Sequence, residues 1–259
     1  MDYPLYKYLL MLLAGTAAGV VNTFAGSGSV FTLSVLLFMG LPADVANGTN
    51  RIGTTVQSLI GTATYYRSGK LETRRGLRFM IPVLLGAVAG AITAADLNEQ
   101  VLRNAIGGIM VLLLLITLFK PQQYLKNLDL LKGRSGNGVI TLVFLAIGFY
   151  GGFIQAGIGI FLIVALGIAS DFSLVQANGI KILAVFLFSF PVLAVFIYYG
   201  QVDWVLGGWV AAGQAAGSYF ASRFAVRNTK ANTWLRWVLI AMIVVTILKM
   251  FGLLDALFV

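Results

Sequence analysis

The chain of 259 residues contains no cysteine and no histidine. Disulfides, thiolate and imidazole metal sites, Cys-His nucleophile pairs and histidine proton relays are excluded by inventory. Charge is scarce too: Asp, Glu, Lys and Arg make up 10% of residues against 59% hydrophobic, and the mean hydropathy is +0.91. Such a chain is too apolar for water and reads as an all-α polytopic membrane protein with the lipid bilayer as its solvent. Acids are the rarer sign, 9 against 18 Lys and Arg, for a net charge of +9. The basic residues sit in islands between apolar runs and form no single stripe, so membrane topology accounts for them and nucleic acid does not. Asp44, Asp171 and Asp203 fall at predicted span ends, as caps or turn residues. With no acid inside a span, a buried carboxylate relay and a cation site both lack their ligands. An enzyme acting on a lipid-borne substrate needs a nucleophile and an acid or base in the apolar zone, and the lack of His, Cys and buried Asp or Glu argues against one. Neither an enzymatic activity nor a cofactor is expected.

What the chain does have is a repeat. At an offset of 131 residues, Ala46-Asn47-Gly48 returns as Ala177-Asn178-Gly179, and Gly26-Ser27-Gly28 returns as Gly157-Ile158-Gly159. The same offset pairs Ser58 with Ser189, Gly69 with Gly200, Gly76 with Gly207 and Gly86 with Gly217. Internal repeats in an apolar chain are typical of secondary transporters. The first half, 1–120, is read as apolar segments at 8–25, 29–40, 45–66, 77–95 and 101–119. A polar linker, 121–137, separates it from the second half, 138–259, with segments at 138–155, 159–170, 174–199, 204–222 and 233–251. No cleavable signal peptide is read before the first run. A span needs about 20 apolar residues, so 29–40 and 159–170 read as short, re-entrant or broken helices.

Charge then sets orientation. Arg67, Lys70, Arg74, Arg75 and Arg78, the linker's Lys120, Lys126, Lys132 and Arg134, and the group Arg223, Arg227, Lys230 and Arg236 fall on one face. The positive-inside rule predicts a multi-pass protein of the plasma (inner) membrane with both termini outside and the linker cytoplasmic. Loop 67–78 is basic while its equivalent, 198–209, has no Lys or Arg, and the acidic loop 96–103 is answered by the basic 223–236. Equivalent loops of opposite charge are what two inverted-topology repeats of about five segments would show.

Two constellations carry possible chemistry. The glycine-rich stretches around Asn22, Gly26 and Gly28, and around Gln155, Gly157 and Gly159, should interrupt helices in each half. Unwound backbone and a helix N-terminus at membrane depth attract anions; close glycine packing between helices is the alternative. The second constellation is Asn47, Thr49, Asn50 and Arg51 against Asn178 and Lys181. Arg51 and Lys181 lie inside predicted spans, where a charge costs about 2.5–3.5 kcal/mol on insertion scales, offset by a partner, a cavity, a ligand or snorkelling. Thr54, Thr55, Gln57 and Ser58 tilt Arg51 towards a hydrated path, whereas Lys181 between Ile180 and Ile182 is the more isolated charge.

These residues resemble those of the TauE/SafE sulfite exporter family of TSUP-type membrane transporters. The resemblance lies in Gly19 to Leu37, Gly40-Leu41-Pro42, Ala46 to Arg51 and Tyr65 to Leu71, then in Gly148 to Phe153, Gly157-Ile158-Gly159, Asn178 to Lys181 and Tyr199 to Trp204. It implies export of sulfite or a related sulfur-containing or organosulfonate anion. Ser27, Ser29 and Gln155-Ala156 depart from the commoner glycine-dense run, where the anion would be read. Residue chemistry alone reaches small-anion transport, with Lys181, Arg51 and neutral hydrogen-bonding neighbours as the site. An uptake carrier or channel for another small organic or sulfur oxyanion, and a non-transport membrane scaffold, stay as alternatives. A homo-oligomer is compatible with either.

Overall fold

The computed structural model describes residues 3–24, 26–71, 73–118, 137–170 and 172–227. These form only helices: α1 (Leu5–Phe24), α2 (Ser29–Phe38), α3 (Ala43–Arg67), α4 (Thr73–Asp96), α5 (Glu99–Leu118), α6 (Asn137–Phe153), α7 (Ile158–Ala169), α8 (Leu174–Tyr198) and α9 (Trp204–Arg227). The segment expected at 233–251, most of the linker, Glu72 and Asp171 lie outside the described residues. By length and apolarity, Leu5–Phe24, Gly76–Asp96 and Val175–Tyr198 can cross a membrane. α4 starts at Thr73 and α9 runs to Arg227, both into basic sequence, because a helix need not end where the hydrocarbon does.

α2 and α7 have 10 and 12 residues. At about 1.5 Å per residue they reach only about half of a hydrocarbon core of about 30 Å. α3 is long, at 25 residues, but polar, and its buried set includes Asn47, Thr49, Asn50, Arg51, Thr54, Thr55, Gln57 and Ser58. Those side chains are covered by other helices, which is why a helix too polar for lipid sits in the middle of the bundle.

The periodicity of the sequence carries into the helix limits. Moving α3 by 131 residues gives α8, and moving α4 gives α9, residue for residue at both ends. Both α3 and α8 close on a left-handed glycine, Gly69 (φ 68) and Gly200 (φ 70). Each is followed by the wrap-back bond of a Schellman ending, Lys70 N–H to the Tyr65 carbonyl at 3.2 Å and Gln201 N–H to the Phe196 carbonyl at 2.9 Å. α8 opens on a Ser173–Gln176 capping box.

The halves interlock. α9 packs on α1 and α3, and α4 packs on α6 and α8; among the described residues neither has substantial contact with helices of its own half. Glycine makes both crossings tight. A Cβ at Gly15 or Gly19 would come within 2.6 and 2.5 Å of the Val210 and Gln214 carbonyls of α9. Gly148 and Gly152 of α6 press in the same way on the Val83 and Ala87 carbonyls of α4. Backbone-to-backbone packing of this kind is the usual glue between helices in lipid. Two sets result, α1–α3 with α9 and α6–α8 with α4, joined chiefly where α3 meets α8. At that seam Tyr65 touches Gly179, Gly61 faces Ile182 and Gly48 faces Phe196, so α3 and α8 run antiparallel.

Candidate functional site

Both helix breaks lie at the seam. The first follows α1 and turns on Gly26 (φ 72); the second follows α6 and turns on Gln155 (φ 60) and Gly157 (φ 72). A positive φ on a residue with a side chain is uncommon and costly, so Gln155 is held by its surroundings. The breaks touch: Gly159 N–H donates to the Gly26 carbonyl at 3.1 Å, and a Cβ on either glycine would strike the other's Cα.

Each buried cation reaches across the seam to the end of a broken helix. Arg51 on α3, 0% exposed, donates through Nη1 to the Gly151 carbonyl at 2.7 Å and Gln155 Oε1 at 3.0 Å, and through Nη2 to the Gly152 carbonyl at 2.7 Å and Asn47 Oδ1 at 3.1 Å. The Phe196 ring lies 5.2 Å from its guanidinium carbon. Asn47 Nδ2 donates to the Phe153 carbonyl at 2.8 Å. Lys181 on α8, 2% exposed, donates through Nζ to the Asn22 and Thr23 carbonyls of α1 at 3.1 and 3.3 Å. Asn178 Nδ2 donates to the same Thr23 carbonyl at 3.0 Å and to Tyr65 Oη at 2.7 Å. The last carbonyls of a helix carry its negative dipole end and lack intrahelical donors, and a cation from the opposite set satisfies them on both sides. Neither cation is paired with a carboxylate among the described residues.

A cavity of about 20 Å³ lies between the breaks, lined by Asn22, Gly26, Ser29, Thr54, Gln57, Ser58, Gln155, Ile158, Gly159, Lys181, Ile182 and Val185. That is room for about one water. Asn22 organises its floor, accepting from Ser29 N–H at 3.2 Å and donating to Gln57 Oε1 at 2.9 Å. Thr54 Oγ donates to Gln155 Oε1 at 3.1 Å. Of the residues expected at the site, Lys181, Asn22, Gly26, Gln155 and Gly159 line this cavity. Arg51, Asn47 and Asn178 stand behind it as supports of the breaks. Gly28 seats α2 against the Ala18 carbonyl and Gly157 packs on Leu113. Thr49 accepts from Asp203 N–H at 2.8 Å, at the far end of α3, and Asn50 accepts from Thr32 Oγ; neither lines the cavity.

A family model described as "Sulfite exporter TauE/SafE" matches residues 11–250. The chain belongs to this family. Its similarity extends to the "Probable membrane transporter protein ORF9" of a Sinorhizobium species, 26% identical, covering 87% of this chain and 85% of the relative. It is 24% identical to a "Probable membrane transporter protein" of Haemophilus influenzae, covering 93% of each, and 27% identical to YdhB of Bacillus subtilis, named in the same way, covering 83% of this chain and 88% of that one. A TauE/SafE chain is thus a membrane transporter by family, and its buried cations are to be understood as parts of a transporter. Gln57, Ser58, Thr54 and Ser29 complete the cavity wall and Tyr65 holds Asn178, although none was singled out as a site residue. The signal was in the sequence: Asn47, Arg51, Thr54 and Ser58 recur at helical spacing on α3, a polar stripe that lipid would not tolerate.

Proposed function

We propose that this chain is a secondary transporter exporting a small anion, sulfite or a related sulfur-containing or organosulfonate anion, by alternating access around the cavity between the breaks. The observation that carries the reading is Lys181. Its ammonium has three donors, of which two meet carbonyls, and it lines a cavity whose other walls are hydroxyls, amides, glycines and the aliphatic Ile158, Ile182 and Val185, with no acid. An uncompensated cation among neutral donors is an anion site. The neutral groups share the load, since several full charges would hold an anion too tightly to release it. At about 20 Å³ the cavity is smaller than a polyatomic anion requires, so binding entails parting the seam.

The halves 1–120 and 138–259, joined by 121–137, are read as inverted repeats. Supporting this, α3 and α8, and α4 and α9, share their limits under the 131-residue offset and the equivalent α3 and α8 run antiparallel. Arg67, Lys70, Arg74 and Arg78 gather about one inter-helix turn, while the equivalent turn, Gly200–Asp203, has no cation. With the positive-inside rule this favours a cytoplasmic linker and external termini. The moving bodies are the interlocked sets, not the sequence halves: rocking one half against the other would tear the glycine crossings, whereas parting α3 from α8 opens the site and leaves them whole.

Reconstituted vesicles loaded with unlabelled sulfite test the reading. Saturable uptake of labelled sulfite is expected, abolished in Lys181→Ala of retained fold. Ohmic conductance would make the protein a channel, and exchange unaltered by Lys181→Ala would remove the anion anchor. In this cysteine-free background a disulfide tying α3 to α8 should halt exchange reversibly, and one tying α1 to α9 should not.

A further inference from the structure

A second cavity, remote from the seam, opens at the basic end of the bundle between α4, α6 and the end of α7. It measures about 290 Å³ and is lined by Arg78, Phe79, Pro82, Ile140, Thr141, Phe144 and Ala169. Five of its seven lining side chains are apolar, the others being one guanidinium and one hydroxyl. Leu77, Ile81 and Leu85 on α4 and Val139, Leu142 and Val143 on α6 are exposed beside it, so the crevice opens onto the surface that meets lipid. Arg78 is posed at its mouth. Its guanidinium carbon lies 4.5 Å from the Phe79 ring centroid, and Nη2 donates to Ser170 Oγ at 2.5 Å, its one hydrogen bond among the described residues. A guanidinium has five donors in a fork suited to phosphate, so several stay available. Ile140 and Thr141 lie in the first turns of α6, whose N-terminal dipole adds positive potential. Arg67, Lys70 and Arg74 stand at the same end.

We propose that this crevice binds an anionic phospholipid, with its phosphate on Arg78 and an acyl chain over Pro82, Ile140 and Phe144. An apolar trough with a cation at its aqueous mouth matches such a lipid at both ends, and basic pockets between spans on the positive side are where anionic headgroups bind. A contrast within the molecule supports the assignment. At the position equivalent to Arg78 stands Trp209, stacked on Tyr8 with ring centroids 5.5 Å apart. Aromatic side chains therefore occupy the opposite end, where the leaflet supplies no comparable negative charge to recruit.

The test is lipid binding to the purified full chain in neutral detergent, read by native mass spectrometry and by thermal unfolding. Phosphatidylglycerol should stay bound and raise Tm, while phosphatidylcholine with the same chains and inorganic phosphate should do neither. Arg78→Ala should weaken phosphatidylglycerol binding about tenfold, more than the factor of about five expected for a surface cation near an anionic leaflet. Ala169→Phe, which fills the crevice and keeps the cation, should lose the lipid as well and serves if Arg78→Ala fails to fold. Equal retention of phosphatidylcholine, phosphatidylglycerol binding unaffected by either variant, or inorganic phosphate acting as well as lipid would each overturn the proposal.

Discussion

Arg51 and Lys181 do the same job in opposite sets of helices with different surpluses. Arg51 spends four hydrogen bonds on the end of α6, on Gln155 and on its own neighbour Asn47, and only its Nε lacks a partner. Lys181 makes two bonds, to carbonyls one of which Asn178 also serves, and faces the cavity. The planar fork suits a saturated clamp, and the flexible point charge suits a ligand that comes and goes. Insertion cost alone, similar for both, does not separate them; their partners do.

The sharpest way to break this comparison is to remove each cation. Arg51→Met strands the Gly151 and Gly152 carbonyls and Asn47 Oδ1, while Gln155 keeps Thr54, at about 1–3 kcal/mol for each buried group left unsatisfied. It should prevent recovery of folded protein or lower Tm severely. Lys181→Met strands no carbonyl fully, because Asn22 keeps the Gly26 N–H at 3.1 Å and Thr23 keeps Asn178. It should cost about 0.5–1.5 kcal/mol and abolish anion exchange in a protein that still folds. Thermal unfolding followed by size-exclusion chromatography measures both, and equal destabilisation would erase the distinction between clamp and anchor.

A smaller but cleaner effect is expected where the breaks meet. Gly26→Ala carries a left-handed penalty of about 1–2 kcal/mol and drives a methyl into Gly159. Gly40, at φ 87 with open space about it, bears only the first of these costs when changed to alanine. Gly26→Ala should impair exchange at least about tenfold beyond Gly40→Ala, on the grounds that misplacing a site by about an ångström costs about 10²-fold. Matching transport rates in the two variants would show that contact between the breaks is unimportant.

Much of this was legible. The short helices follow from glycines that stop α1 and α6, and two buried cations without acids were visible as anomalies in apolar spans. The polar neighbours of Arg51 pointed to a hydrated path, yet half of its hydrogen bonds go to backbone: carbonyls of Gly151 and Gly152 leave no side-chain signature, so its saturation could not be read. The exchange of α4 and α9 was hidden because glycine spacing marks a face for close packing without naming the partner. Thr49 serves the turn before α9, a contact 154 residues away in sequence.

That turn offers the mildest perturbation, because it braces the clamp's helix through a single hydrogen bond beside Arg51. Asp203 N–H donates to Thr49, two residues from Arg51, while Asp203 Oδ2 accepts from Tyr3 Oη at 2.8 Å and Oδ1 accepts from Leu206 N–H at 2.9 Å, capping α9. In the equivalent turn, Leu71 and the Lys70 carbonyl lie beside Gly179 of α8. Burial first, and then the hydrogen bond and charge of Asp203, raise the Tyr3 hydroxyl from 10.0 to about 12. A raised phenol favours its neutral form in the fold, so its contribution is whole below about pH 10 and fades as pH climbs towards 12. Tyr3→Phe should lower stability by about 0.5–1.5 kcal/mol at pH 8 while exchange persists. The gap from the wild type should narrow as the pH is raised from 9.5 to 11.5 in thermal unfolding. A gap that holds constant across that interval would mean the hydroxyl does not hold Asp203, and that the turn braces the clamp's helix without it.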